Sequence, residues 1–311
     1  MYENSERQFE YLNFTVDSSL LFQLGEQLVA KPSVALAELV KNAYDADATR
    51  VLVTMENIGE KGGTIIIEDD GHGMTFEEVR DNWMRIATNA KRGRTASRIF
   101  CRPLTGAKGI GRFAARRLGE KLTLQSVARS EEGDLEAIVA EFDWRNSFLE
   151  GENLTEVPVS VTRSRLPHDS KTGVTLFIEN ARDQWTPSEL ADLRRDLLDL
   201  QSPFPDLIVK PPQNVLNNCL ADPGFAFELE IADSGDLEQF SGGLGETFLN
   251  TARAVLTGTV DENGIAHYQI EILETGEKDR LIDDQLTSVR FDKIKHAQFR
   301  IYYFLYLSEF Y

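Results

Sequence analysis

AELVKNAYDA at 37–46, IIIEDDGHGM at 65–74 and TGAKGIGR at 105–112 are three polar signals set into otherwise ordinary apolar sequence. The first sits in a helix pattern. Val34, Ala35, Leu36, Leu39, Val40 and Ala43 fill most of a cylinder whose period is 3.6 residues. Glu38, Asn42 and Asp45 interrupt it at spacings i, i+4 and i+7, which places an acid, an amide and a second acid on one stripe. By itself, such a stripe is also what a solvated helix face looks like.

The second signal is a strand from Thr64 to Glu68 that ends in two acids and a Gly71-His72-Gly73 turn. A helix follows, announced by Thr75 with Glu78 three residues on, which is a capping box. Strand alternation puts Ile65, Ile67 and Asp69 on one face and Thr64, Ile66, Glu68 and Asp70 on the other, wetter one. Asp69, not Asp70, is therefore expected to point to the packed side, where a carboxylate needs a donor. An adenine amino group would be such a donor.

In the third signal, Gly106, Gly109 and Gly111 surround Lys108 and Ile110 and lead into a helix carrying Arg112, Arg116 and Arg117. Glycines at a helix start let backbone amides approach phosphate oxygens closely. A Rossmann turn is a poor match, because the lead-in RGRTASRIFCRPLTG is not a strand pattern. A Walker loop is excluded, since Arg112 and Phe113 follow the last glycine where Lys and Ser or Thr are required. From Arg85 to Arg117 there are ten Lys or Arg and no acid, in a chain of formal charge −18. That basic run calls for a polyanion: nucleotide phosphates, nucleic acid, or the acidic rest of the molecule.

In order and at this spacing, ExxxNAxDA from Glu38, DxGxGM from Asp69 and GxxGxG from Gly106 resemble the GHKL ATPases. That superfamily includes DNA gyrase B, the ninety-kilodalton heat-shock chaperones, sensor histidine kinases, MutL and MORC proteins. The likeness covers roughly residues 10–200. It implies an α+β fold, a two-layer α/β sandwich of the Bergerat type. It also implies ATP and Mg2+ as cofactors, with Glu38 as the general base, Asn42 as metal ligand and Asp69 as acceptor for the adenine amino group. Gly106, Lys108, Gly109, Ile110 and Gly111 would meet the phosphates under a lid over about 88–111, with Asp45, Gly71, Gly73 and Met74 lining the nucleotide. Lys91 is a candidate phosphate contact, a surface lysine being the plainer reading. Where relatives carry a Thr beside the adenine, GVTLFIE puts Val174, which leaves Thr172 and Thr175 as substitutes; Thr175 is the candidate taken. The upstream acid Glu38, with no phosphoacceptor histidine segment, sets the chain nearer the chaperone, MutL, gyrase and MORC branch than the sensor kinases.

A length of 311 residues suits two domains. The expected division is an ATP-binding domain at 1–200, a proline-rich linker at 201–215 and a smaller transducer-like α+β domain at 216–311. Phe225, Phe227, Leu229 and Ile231 alternate as a strand of that second domain, and 246–256 suits a helix. The apolar run FRIYYFLYL near the end reads as a strand whose edge pairs elsewhere, in a longer protein or a dimer. Two cysteines suggest no disulfide framework and suit a reducing cytoplasm. No apolar run of membrane-spanning length occurs, and the four histidines lack zinc spacing.

Function follows from the resemblance. The chain is expected to bind ATP and hydrolyse it slowly, driving lid closure and an ATP-dependent homodimer in a chaperone-like switch, with an unidentified client or downstream domain. Two alternatives stand beside it: an ATP-sensing scaffold without turnover, and an ATP-gated DNA-acting protein in repair or phage defence. The basic run permits the latter, and the acidic remainder disfavours nonspecific DNA binding.

Overall fold

A computed structural model describes residues 16–20, 31–85, 95–105, 111–148, 151–198, 200, 219–243, 252–273, 277–282 and 297–303. Helix α1 (Pro32–Asp45) has Pro32 in its first turn, where the missing N–H has no partner to lose. It stops in a Schellman motif. Asp47 takes a φ of 61°, its N–H bonds Tyr44 O at 3.1 Å, and the Ala48 N–H bonds Ala43 O at 3.1 Å. Aspartate is one of the few residues that enters this left-handed region readily.

Strands β1 (Arg50–Glu56) and β2 (Thr64–Asp69) follow as an antiparallel pair, Val51 opposite Asp69. The short helix α2 (Phe76–Glu78) begins at the expected capping box, both hydrogen bonds being present, and runs into a π-type turn at Val79–Trp83. Helix α3 (Gly111–Leu118) leads into β3 (Gly119–Arg129), β4 (Leu135–Asp143), β5 (Ser160–Leu166) and β6 (Gly173–Ala181). Helix α4 (Pro187–Leu198) starts at a second box, in which Glu189 accepts from Thr186 N at 2.9 Å and Thr186 Oγ1 accepts from Glu189 N at 3.3 Å. Strands β7 (Ala226–Ala232) and β8 (Gly242–Gly243) close the set.

These eight strands form one sheet in the order β5-β4-β3-β6-β2-β1-β7-β8, antiparallel except for the parallel pair β1–β7. One face is apolar: Val51, Val53, Met55, Ile65, Ile67, Leu122, Leu124, Ile178, Phe227 and Leu229 are buried on it. Leu36, Val40, Ala114, Ala115, Leu190 and Leu193 of α1, α3 and α4 join these in one core cluster, so the fold is a helix layer on a mixed sheet. Each Val, Leu, Ile, Met or Phe among them contributes roughly 1.5 to 3 kcal/mol by leaving water.

A separate four-stranded antiparallel sheet, ordered β11-β10-β9-β12, contains β9 (Ala254–Val260), β10 (Ala266–Ile272), β11 (Glu277–Ile282) and β12 (Gln298–Tyr303). The expected Glu262-Asn263-Gly264 hairpin joins β9 to β10, with Gly264 at a φ of 75°.

Several expectations are corrected. The strand at 226–232, expected beyond the linker in a second domain, pairs parallel with β1 instead, Phe227 facing Val51 and Leu229 facing Val53. Strand β6 is central, between β3 and β2, rather than closing the sheet. The end of the helix expected at 246–256 is strand, since β9 starts at Ala254. Cys101 and Cys219 form a disulfide with Cα atoms 5.9 Å apart, against the reduced pair expected from so low a count. The linker at 201–215, residues 1–15 and the last residues of FRIYYFLYL lie outside the described residues.

Candidate nucleotide-binding site

The end of α1 is where the three signals meet, through three consecutive residues. Asp45 Oδ1 accepts from Thr105 N at 2.8 Å and from Thr105 Oγ1 at 3.0 Å, which anchors the residue before Gly106. Ala46 O accepts from His72 N at 3.0 Å, anchoring the turn after Asp69. Asp47, buried, accepts from Ile99 N at 2.8 Å and Phe100 N at 3.0 Å, anchoring the segment that leads to the glycine loop. Asp45 is expected to line the nucleotide; its carboxylate is the acceptor that holds Thr105, just before the glycine loop.

Asp69 ends β2 on the inward face, as alternation requires. Its Oδ1 accepts from Gly71 N at 2.9 Å and Val174 N at 3.3 Å, while Oδ2 has no hydrogen-bond partner among the described residues. Removal from water pushes its pKa up to about 6. Asp70 does a different job, tying down the start of β1 through Thr49 N at 2.7 Å and Arg50 N at 2.8 Å.

Around Asp69 the backbone is packed too tightly for side chains. Gly73 sits at a φ of 68°, and a Cβ there would lie 2.0 Å from Val127 O. At Gly173 a Cβ would meet Asp69 O at 2.1 Å. Met74 is fixed from β3: Met74 N donates to Ser126 Oγ at 2.7 Å and Ser126 Oγ donates to Met74 O at 2.9 Å. Ser126, 1% exposed, carries no motif and was not expected here.

Thr175 is on the wrong face. Asp69 pairs with Val174 and Glu68 with Thr175, and directly opposed residues share a face. Thr175 therefore stands with Glu68 and Gln125 on the side of the sheet away from Asp69. The β6 contribution to the Asp69 end is the Val174 N–H, which any residue but proline supplies.

Glu38 and Asn42 are both partly buried on the stripe of α1 foreseen for them. Lys41 Nζ donates to Glu38 Oε1 at 3.2 Å. Gly111 is the first residue of α3, which packs against α1. Lys91, Gly106, Lys108, Gly109 and Ile110 lie outside the described residues. Part of the basic run is answered from within: Arg98 pairs with Glu78, Arg102 with Asp222 at 2.7 Å, and Arg117 with Asp183. Arg102 is 2% exposed, lies 4.8 Å from the Tyr44 ring centre, and joins the approach to the glycine loop to the chain entering β7.

Residues 30–165 match the family described as histidine kinase-, DNA gyrase B- and HSP90-like ATPase. This is a GHKL-superfamily module. The GHKL module is 35% identical over 103 residues to a putative type II restriction enzyme, HgiDII, of Herpetosiphon aurantiacus, covering 33% of this chain and 16% of that protein. It is 43% identical over 63 residues to the DNA mismatch repair protein MutL of Xylella fastidiosa, covering 20% and 10%. With MutL of Exiguobacterium sibiricum it shares 41% over 63 residues, again 20% and 10%. The GHKL module thus lies near the MutL branch, and the chain spans a sixth or less of the length of these relatives. GHKL modules bind ATP and switch conformation with it. The residues here fit a nucleotide: a carboxylate oxygen without a partner on the inward face, a turn too tight for side chains beside it, and an amide on the facing helix. No group of three metal-ligating side chains occurs among the described residues.

Proposed function

We propose that this GHKL module binds Mg–ATP and hydrolyses it slowly, and that occupancy closes the lid and brings two copies together. The convergence of the motifs on Asp45, Ala46 and Asp47 supports this reading, since it links the Asp69 turn and the approach to the glycine loop to the helix that carries Glu38 and Asn42. Asp69 Oδ2 would accept from the adenine amino group. Backbone amides at 106–111 would meet the phosphates, and Asn42 would hold Mg2+, which supplies charge neutralisation on the phosphate oxygens when bound. Glu38 would orient a water in line with the γ-phosphorus and take its proton as the oxygen–phosphorus bond forms and the bond to ADP breaks.

General-base help is worth about 10²- to 10⁴-fold. Glu38→Ala should bind ATP with wild-type affinity and release phosphate at least about 10²-fold more slowly; unchanged turnover would remove Glu38 from the mechanism. The same phosphate-release assay on the wild type rejects the alternative of an inert ATP-sensing scaffold if it shows turnover. Light scattering with a non-hydrolysable analogue reads dimerisation, and an unchanged mass at high protein concentration counts against it. The four-stranded sheet at 254–303 is read as the transducer-like unit that reports nucleotide state, in a cytoplasmic setting.

A DNA-acting role is the second reading, favoured by the similarity to a mismatch repair protein and a putative restriction enzyme. The internal partners of Arg98, Arg102 and Arg117 weigh against the basic run as its contact surface. Salt-dependent DNA binding, with and without ATP, discriminates.

A further inference from the structure

Residues 96–103 make a small closed turn ahead of the glycine loop. Ala96 bridges Pro103, Ser97 N donates to Arg102 O at 2.9 Å, and Arg102 N donates to Ser97 Oγ at 2.8 Å. Cys101 sits in this turn at a φ of 56°, a left-handed position that glycine or asparagine would occupy with less strain. Its sulfur is bonded to that of Cys219, and both residues are partly exposed. The two segments that this bond joins are already held together without it. Leu220 N donates to Ile99 O at 2.9 Å, and Arg102 donates to the Asp222 carboxylate at 2.7 and 2.9 Å and to Gly224 O at 2.7 Å. A cross-link needed only to keep them adjacent would duplicate those bonds. What the surrounding bonds provide is a pair of sulfurs that stays within reach when the S–S bond is open, and disulfides that a thiol can reach are the ones that exchange.

We infer that the Cys101–Cys219 bond is a reversible redox switch on the nucleotide site, which binds more tightly when the pair is oxidised and more weakly when it is reduced. This rests on the nucleotide reading above. Cys101 is four residues from Thr105, whose N–H and hydroxyl are held by Asp45 just before the glycine loop. On one side, Asp45 and Asp47 tie this stretch to the end of α1; on the other, the disulfide ties it to the chain entering β7. A loop whose approach is fixed from both sides loses less freedom when it orders on phosphates, and the smaller loss appears as affinity. Opening the bond returns part of that freedom. The reductant is a dithiol: one of its thiolates attacks a cysteine sulfur, the S–S bond breaks as a mixed disulfide forms, and its second thiol then displaces that cysteine. Two electrons pass from the dithiol to the pair, Cys101 and Cys219 are left as thiols carrying the two protons, and the dithiol closes to its own disulfide. Linkage makes the coupling reciprocal, so a nucleotide that prefers the oxidised form also makes the bond harder to reduce. A bond that serves stability alone has no such dependence.

The test uses the full chain, oxidised and reduced with dithiothreitol, at a temperature where circular dichroism shows both forms folded. Calorimetric titration with a non-hydrolysable ATP analogue and Mg2+ should give an affinity about fivefold or more weaker for the reduced form. Cys101→Ser and Cys219→Ser should each bind as the reduced wild type does, with or without the dithiol. Independently of any variant, the wild type is equilibrated in graded mixtures of reduced and oxidised dithiothreitol, and its free thiols are counted by alkylation and mass spectrometry. The ratio that half-reduces the bond should move by the same factor toward more reducing mixtures when the analogue is saturating. Equal affinities of the two forms, with a half-reduction ratio that ignores the analogue, overturn the switch and leave the nucleotide reading standing; tighter binding by the reduced form does the same. Failure of oxidised and reduced protein alike to bind the analogue overturns the nucleotide reading, and this inference with it.

Discussion

Asp69 sets two requirements against each other. Its carboxyl titrates at about 6 in the folded protein against 3.8 in an unfolded chain, so the folded state holds the proton more tightly. Stability from this residue is fully present below pH 3.8 and is lost as pH rises through about 6. Asp69→Asn should therefore raise the melting temperature of the nucleotide-free protein at pH 7 to 8, by about 1 to 3 kcal/mol of stability, with no difference near pH 4. The same variant should weaken ATP binding about 10- to 150-fold at pH 7, and wild-type affinity should fall as pH drops through about 6; flat profiles by calorimetry would reject Asp69 as the base contact. This residue was legible in the sequence because strand parity alone assigns its face. Ser126 was not, since alternation marks it as inward but says nothing of Met74, which is 52 residues away in sequence. Ser126→Ala leaves the Met74 N–H and C=O without that hydroxyl and should cost about 1 to 3 kcal/mol in denaturant unfolding. Thr175 was misassigned for the complementary reason: its face depends on the register of β6 against β2, which composition does not contain.

Among the elements, the termination of α1 matters more than its body. The left-handed residue that ends it, Asp47, holds the two amides of Ile99 and Phe100 with its carboxylate. Asp47→Ala should leave the helix in place and loosen 95–105, read as faster amide exchange at Ile99 and Phe100; unchanged protection would show that the other ties of the segment, Thr105 to Asp45, Arg102 and the disulfide, hold it without Asp47. Strands with strong alternation, β1, β2, β3 and β7, were readable from their apolar period. Strand β5 was not, because SVTRSRL has a single inward apolar residue, Val161: Arg163 and Arg165 occupy its other inward positions, and Arg163 pairs with the buried Glu136. The assignment of β7 to a second domain failed because a proline-rich stretch marks a change of direction, not a change of sheet.

At the scale of the molecule, the approach to the glycine loop is joined to the far half of the chain by the Arg102–Asp222 ion pair, by hydrogen bonds from Leu220 N to Ile99 O and from Arg102 to Gly224 O, and by the disulfide spanning 118 residues of sequence. Closing a loop of that size restrains the unfolded chain by about 2 to 4 kcal/mol, so reduction should lower the melting temperature, and Cys101→Ser should match the reduced wild type. Identical melts with and without reductant would place the stability elsewhere. Composition could not disclose this bond, because two cysteines far apart in sequence meet only through the parallel addition of β7 beside β1. That addition also decides where the gene can be cut. A fragment stopped at residue 200, where motif reading would end the ATPase, strips β1 of its neighbour and uncovers a row of backbone donors and acceptors beside Val51, Val53 and Met55. Such a piece should be recovered as inclusion bodies, and one carried through Gly243 should not.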